Sequence, residues 1–282
     1  MKRILVPTDF SDNAYSALFY ATRLFQNQPC QFYILNTFEV NTPLLTGRID
    51  TSKGDDLYQE LSTKSSDSLA TTFHSIVRDS EDLKHTFETI SISKDLTETI
   101  NKTIKNKDID LVVMGTKGVT GAASLFMGSN TVKVVQKIKH CPVLIVPNEF
   151  DFDKPIEIAF PTDFKRFYLE AEIKPLLDIA SLFDSNIRIF HINEDENLDD
   201  IQEYNYNLLK RHLSKFTHSI HWISKTGQKT SLINEFIDEF DINLAIMINY
   251  KHSLIETITH EPVIKKIGFH PSIPFLVIPD AT

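Results

Sequence analysis

The 282-residue chain is short of glycine, with eight in all, yet four of them (Gly115, Gly118, Gly121 and Gly128) fall between positions 115 and 128. So low a total rules out a collagen-like or Gly-rich flexible chain, and the cluster needs a local reason. Cysteine is nearly absent too. Cys30 and Cys141 each adjoin an apolar, strand-like run, and neither has a second cysteine at metal or redox spacing. They read as buried small hydrophobes in a reducing compartment, with a disulfide between them disfavoured. Basic charge is in deficit: 29 Lys and Arg against 38 Asp and Glu, a net charge of -9, which argues against broad electrostatic binding to nucleic acid. Lys133, Lys137 and Lys139 lie close together but read as the wet side of a helix. No apolar run approaches the length needed to cross a bilayer. The opening MKRILVPTDF enters a strand pattern at once, without the apolar core of a signal peptide, so the expectation is a cytoplasmic protein with no membrane partner. With 41% hydrophobic and 24% charged residues, the composition is that of a soluble globular protein.

What is present is said nearly twice. KRILVPTDF at 2–10 is answered by IEIAFPTDF at 156–164, DIDLVVM at 108–114 by DINLAIM at 241–247, and CPVLIVP at 141–147 by IPFLVIP at 273–279. The three blocks keep their order, which identifies two copies of one domain, residues 1–149 and 155–282, joined near NEFDFDKP. Pro7 and Pro161 are 154 positions apart, but Asp108 and Asp241 only 133, so the second copy is 21 residues shorter between these blocks. The expected site of the difference is the polar stretch around 40–56, which reads as a long loop in copy one.

Within copy one, apolar runs of strand length alternate with segments of helical period. RILVP, QFYILNTF, HTFETISIS, DLVVMG and PVLIVP read as strands. The stretch SDNAYSALFYATRLFQ, the region 57–78, DLTETINKTIKNK and 129–139 read as helices, the first opened by an Asx/Ser cap. Copy two repeats the scheme, with helices over 166–183, 197–213, 229–239 and 258–268. Five strands and four helices in alternation give an α/β fold: two tandem doubly wound, Rossmann-like domains, each a five-stranded parallel sheet with helices on both faces.

In such sheets ligands sit beyond the carboxyl ends of the strands, at the switch point of strand order. The first strand ends at Pro7-Thr8-Asp9 and the fourth at Met114-Gly115, so these ends are expected to share a crevice. Glycines allow backbone N–H groups to approach phosphate oxygens, and the helix start at Ser129, Asn130 and Thr131 adds unpaired N–H groups and a positive dipole end. Asp9 has the chemistry to accept hydrogen bonds from ribose hydroxyls. It and Asp163 also each follow Pro-Thr and precede a helix, so a plain capping role is the simpler alternative. Neither a P-loop nor a G-x-G-x-x-G after the first strand is present. His218 and His221, three apart on a strand, point to opposite faces and do not make a metal site.

Gly115-x2-Gly118-x9-Gly128-Ser129, between the fourth strand and fourth helix, resembles the ATP-binding signature of the universal stress protein family. VPTDFS and CPVLIVP resemble that family's first and last strands, and the resemblance extends over both halves, as in a tandem member. It implies a fold akin to the adenine nucleotide α-hydrolases, with ATP, alone or with Mg2+, as the cofactor. Pro7, Thr8, Asp9, Met114 and Gly115 would take the nucleoside end, with Thr37 lining the adenine pocket. Gly118, Gly128, Ser129 and Asn130 would hold the phosphates. Family members pair through their last strands, which implies an internal pseudo-dimer here and leaves a further homodimer open.

Copy two departs from the signature: Gly115 becomes Ile248, Gly118 Lys251, Gly128 His260 and Ser129 Glu261, while Asp163 survives. A glutamate at the helix start repels phosphate, so only copy one is expected to bind nucleotide. No catalytic base, arginine finger or carboxylate pair accompanies the loop, so slow ATP hydrolysis is the most the residues imply. A ligand-free structural module and an adenylating enzyme are the competing readings. The latter lacks its SGGxDS or HIGH signature.

Overall fold

The structure is a computed structural model that describes residues 1–40, 51–116, 127–148, 151–193, 197–224, 229–250 and 272–280. Copy one runs β1 (Lys2–Pro7), α1 (Asp12–Leu24), β2 (Cys30–Thr37), α2 (Thr51–Asp79), β3 (Thr86–Ile92), α3 (Leu96–Lys107), β4 (Leu111–Gly115), α4 (Ser129–Lys137) and β5 (Val143–Val146). Copy two follows with β6 (Glu157–Pro161), α5 (Glu170–Phe183), β7 (Asn186–Asn193), α6 (Asp200–His212), β8 (His218–Ser224), α7 (Lys229–Glu239), β9 (Leu244–Asn249) and β10 (Phe275–Pro279).

The ten strands form one sheet in the order β3-β2-β1-β4-β5-β10-β9-β6-β7-β8. Counted from either outer edge, each copy places its strands third, second, first, fourth, fifth. Every pairing within a copy is parallel. The two fifth strands meet antiparallel, with Phe275 opposite Ile145, Leu276 opposite Leu144 and Val277 opposite Val143.

Ile4, Leu5 and Val6 of β1 are all fully buried, the mark of a parallel strand covered on both faces. Successive residues enter different cores. Ile4 and Val6 join Phe32, Ile158, Phe160 and Ile278 in one cluster, whereas Leu5 joins Val134, Ile138, Met247, Phe275 and Val277 in another. Both cores therefore draw on both copies. Cys30 and Cys141 are free and buried, and burial pushes their thiols up to about 11 and about 12. Among the described residues, no helix is long and apolar enough to cross a membrane.

Three local features depart from the sequence reading. Residues 51–56, expected within a loop, belong to α2, which has 29 residues against 13 in α6. Much of copy one's extra length is thus helix. Helix α5 opens at Glu170 rather than 166, because Glu172 turns back to accept a hydrogen bond from the Leu169 N–H at 3.0 Å while the Tyr168 hydroxyl is bonded back to Thr162. The helix expected over 258–268 lies outside the described residues.

Candidate functional site

The strand order puts the switch point between β1 and β4. Their ladder pairs Ile4 with Leu111 and Leu5 with Val112, whereas the β1–β2 ladder continues to Pro7 and Leu35. Past Leu5, then, the end of β1 stays with β2, and Pro7 and Met114 flank the crevice. The chain leaves β1 through a tight turn. Thr8 Oγ1 accepts from the Phe10 N–H at 3.0 Å, and Asp9 Oδ1 accepts from the Ser11 N–H at 3.2 Å and from Ser11 Oγ at 2.7 Å. Phe10 takes a left-handed φ of 66°. Ser11, not Asp9, caps α1, its Oγ accepting from the Ala14 N–H at 3.2 Å. The capping role considered for Asp9 is corrected accordingly: its carboxylate stands one step back, holding the residue that caps. Asp9 is exposed at the mouth of the crevice, with Thr8 half-buried and Pro7 buried.

Across the crevice, Met114 and Gly115 end β4, and the start of α4 is drawn up against them. The Gly128 N–H donates to the Thr116 carbonyl at 2.5 Å, and Thr131 Oγ1 donates to the Gly115 carbonyl at 2.9 Å. Ser129 and Asn130 are exposed in the first turn of α4, which carries no acidic residue and no side-chain cap. This end of the helix suits an anion. Gly128 has φ -60° and ψ 148°, ordinary extended backbone, so its conformation does not require glycine. Gly115 is a different case, since a Cβ there would lie 2.5 Å from Asn13 Oδ1 and 2.9 Å from the Asn13 carbonyl oxygen. Thr37 ends β2 on the other side of β1, half-buried and paired with Ile92. Gly118 lies outside the described residues. The structure thus joins Gly115 and Gly128 at the exit of β4, where Ser129 and Asn130 open α4, and ends the neighbouring parallel strand β1 at Pro7, Thr8 and Asp9, with Thr37 at the end of β2 one strand further.

Two groups escaped the sequence reading. Asn13, buried at the start of α1, sits against Gly115. A polar chain also lies under the Thr8 turn: Asn36 Nδ2 donates to the Thr8 carbonyl at 2.8 Å, Ser65 Oγ donates to Asn36 Oδ1 at 2.8 Å, and Ser65 and Ser91 share a hydroxyl hydrogen bond at 2.7 Å. Its one visible signal was an asparagine inside the apolar run QFYILNT, a polar group that must find partners when buried.

Copy two repeats the turn but fills the space around it. Thr162 Oγ1 accepts from the Phe164 N–H at 3.1 Å, Asp163 Oδ1 accepts from the Lys165 N–H at 3.0 Å, and Phe164 has φ 56°. Here Asp163 Oδ1 also accepts from the Tyr250 hydroxyl at 2.8 Å, just past the end of β9. Burial, with the neighbouring Asp163, raises the Tyr250 pKa well above the ordinary phenol value. Arg166 lies over the Tyr250 ring at 5.2 Å, forks onto both carboxylate oxygens of Asp280 at 2.8 Å, and reaches Glu172 at 3.2 Å. The sheet register places His191 opposite Trp222 as it places Asn36 opposite Ser91. His191 Nδ1 is hydrogen-bonded to the Thr162 carbonyl at 2.9 Å and its ring stacks on Phe164 at 4.9 Å, with Tyr206 and Trp222 completing an aromatic group. Where copy one has a polar chain, copy two has four rings. Among the described residues of either copy, no group of three or more His, Cys, Asp or Glu is placed to hold a metal ion.

Comparison with known proteins gives these features a context. The sequence profile of the Universal stress protein family matches residues 1–147. Universal stress protein MJ0577 of Methanocaldococcus jannaschii is 27% identical over 153 residues, 51% of this chain and 94% of that protein. Among solved structures, a universal stress protein from Archaeoglobus fulgidus superposes with a TM-score of 0.64 at 17% identity, covering 98% of this chain and 96% of that one. The cytoplasmic domain of a prokaryotic cation chloride cotransporter gives a TM-score of 0.58 at 10% identity, over 99% and 95% of the respective chains. At such identities the structural matches speak for the fold alone.

Proposed function

Since the chain belongs to the universal stress protein family, whose profile covers more than half of it, we propose that it is an ATP-binding regulatory protein in which the copy at residues 1–149 holds the nucleotide and the copy at 155–282 does not. The observation that carries this reading is the junction at the switch point. There the exit of β4 is hydrogen-bonded to the start of α4 through Thr116 and Gly128, Ser129 and Asn130 open the helix, and the neighbouring strand β1 runs out into the Thr8-Asp9 turn. Pro7, Thr8, Asp9, Met114 and Gly115 take the nucleoside, with Thr37 toward the base. Gly128, Ser129 and Asn130, together with Gly118, take the phosphates and any Mg2+ they carry. Asp9 accepts from ribose hydroxyls while keeping its bonds to Ser11.

The inactivity of copy two is supported by the filling of its equivalent space. A ribose bound there would compete with Tyr250 for Asp163, and the Arg166–Asp280 fork ties the residue after β10 across the same strand ends. The antiparallel β5–β10 pairing supports an internal pseudo-dimer, with copy two in the place of a second subunit. The nucleotide acts as a signal rather than a substrate, with at most slow hydrolysis. For copy two, the filled site favours a second reading, that of a structural module keeping the fold without the ligand.

Isothermal titration of the full chain with MgATP tests both statements. We expect one nucleotide per chain, binding lost in Gly128→Glu, which sets a carboxylate at the start of α4, and binding unaltered in Asp163→Ala. Two nucleotides per chain would refute the division of labour. No binding at all would leave copy one as a structural module as well.

A further inference from the structure

Gly115 reads in the sequence as a place where backbone must approach a ligand, but its contacts give it another task. A side chain at 115 is excluded by Asn13, at 2.5 Å from Oδ1, 2.7 Å from Cγ and 2.9 Å from the main-chain oxygen. Asn13 is buried, 3% exposed, in the first turn of α1. Its Nδ2 donates to the Val146 carbonyl at the end of β5 at 3.3 Å, and its Oδ1 accepts from Thr116 Oγ1 at 3.4 Å. The Thr116 N–H in turn donates to the same Val146 carbonyl at 3.0 Å, and the Thr116 carbonyl accepts from the N–H of Gly128, the residue that opens α4. From the other side Thr131, 4% exposed, returns its hydroxyl from the first turn of α4 to the Gly115 carbonyl at 2.9 Å. One compact polar knot therefore ties the start of α1, the exits of β4 and β5, and the origin of α4.

We propose that Asn13 and Thr131 are positioning residues of the nucleotide site: buried beneath the β4 exit, they fix where α4 begins and hence where its N-terminal N–H groups meet a phosphate chain. The inference rests on the nucleotide reading above. Neither side chain is placed to touch the ligand. Both act through Gly115 and Thr116, whose carbonyls anchor the helix start. Geometry is what such a site needs most, because a helix terminus attracts an anion only over its first turn, and a small displacement forfeits hydrogen bonds to the phosphates. Copy two, which would hold no phosphate, does not keep the residues at the centre of the knot. Counting from the repeated turn, Asn13 corresponds to Phe167, half exposed ahead of α5, and Gly115 to Ile248, buried in β9.

The test compares ATP with adenosine on the full chain, wild type against Asn13→Ala and Thr131→Val. The valine is isosteric with threonine and keeps the fold if the alanine does not. A residue that merely supports the domain weakens both ligands alike, whereas one that positions α4 weakens the phosphate-bearing ligand selectively. We expect each variant to lose about tenfold in ATP affinity, the size of effect that one lost or misaligned hydrogen bond to a charged group produces, with adenosine affinity held within about twofold. Restoring the hydroxyl as Thr131→Ser should recover most of the ATP loss. Wild type that binds no ATP would defeat the nucleotide reading and this inference with it. Wild type that binds, with folded Thr131→Val showing an unchanged ratio of ATP to adenosine affinity, would overturn this inference alone.

Discussion

At Gly115 the absence of a side chain has a packing cause as definite as any ligand could supply. The β4 exit cannot retreat from Asn13, because the Thr116 N–H is bonded to Val146 and the Gly115 carbonyl to Thr131. A methyl group would instead have to displace both the Asn13 side chain and its main-chain oxygen. Gly115→Ala should therefore destabilise the protein by roughly 1–3 kcal/mol, the usual cost of overpacking a well-filled interior. In urea this reads as a lower midpoint with an unchanged slope. A midpoint equal to wild type would mean that α1 yields freely at Asn13. The glycine spacing was legible from the sequence, and Gly115 and Gly128 do lie at the carboxyl end of β4 and the start of α4, but the packing reason for Gly115 was not legible. Asn13 carries no periodicity, spacing or neighbour that assigns it to Gly115, and only the packing of α1 across β4 brings the two together. The polar chain from Thr8 to Ser91 was hidden in the same way, since Ser65 reads in sequence as one more polar residue of a long amphipathic helix.

Elements were easier to read than their lengths. Strand and helix periods alternate cleanly because a doubly wound sheet buries both faces of its inner strands, leaving long apolar runs, and one stripe of each helix. Boundaries failed where a specific side-chain bond decides them, as at α5, or where the helix takes a breaker into its first turn, as α2 does with Gly54. The caps of α1 and α3 show how much such bonds matter. Ser11 accepts from the Ala14 N–H at 3.2 Å, and Asp95 from the Glu98 N–H at 2.9 Å, so each side chain satisfies one exposed donor of its helix. Asp95→Ala and Ser11→Ala should each cost about 1 kcal/mol in stability. Only Ser11 also holds Asp9, through its N–H and its hydroxyl. Loss of the Ser11 hydroxyl should therefore weaken ATP binding as well, while Asp95→Ala leaves it untouched. Paired urea and titration measurements separate the two effects, and equal ATP affinities for the two variants would show that the Asp9 turn does not depend on its neighbour.

Over the whole molecule, the antiparallel meeting of β5 and β10 turns two repeated domains into one sheet with shared cores on both faces. The repeat was visible in the order of the three matching blocks. What no sequence pattern shows is which buried residues of one copy face those of the other, and here the register sets Leu144 directly against Leu276, both essentially buried. Cooperative unfolding should follow, because opening either copy strips apolar surface from its partner. The chain carries its own reporter. Its single tryptophan, Trp222, belongs to copy two and packs against Phe164, His191 and Tyr206, far along the sheet from β5. Leu144→Asp, which buries an unpaired carboxylate in copy one, should lower the midpoint of the Trp222 fluorescence transition in step with that of far-ultraviolet circular dichroism. Conversely, MgATP at a hundred times its dissociation constant should raise the Trp222 midpoint, since a ligand that binds only the folded chain contributes about 2.7 kcal/mol at that ratio. The nucleotide would then be stabilising residues of a copy it does not touch. If Trp222 unfolds at its wild-type midpoint in both experiments while the circular dichroism splits into two steps, the seam is a contact between independent domains, and copy two does not share the energetics of the site that copy one carries.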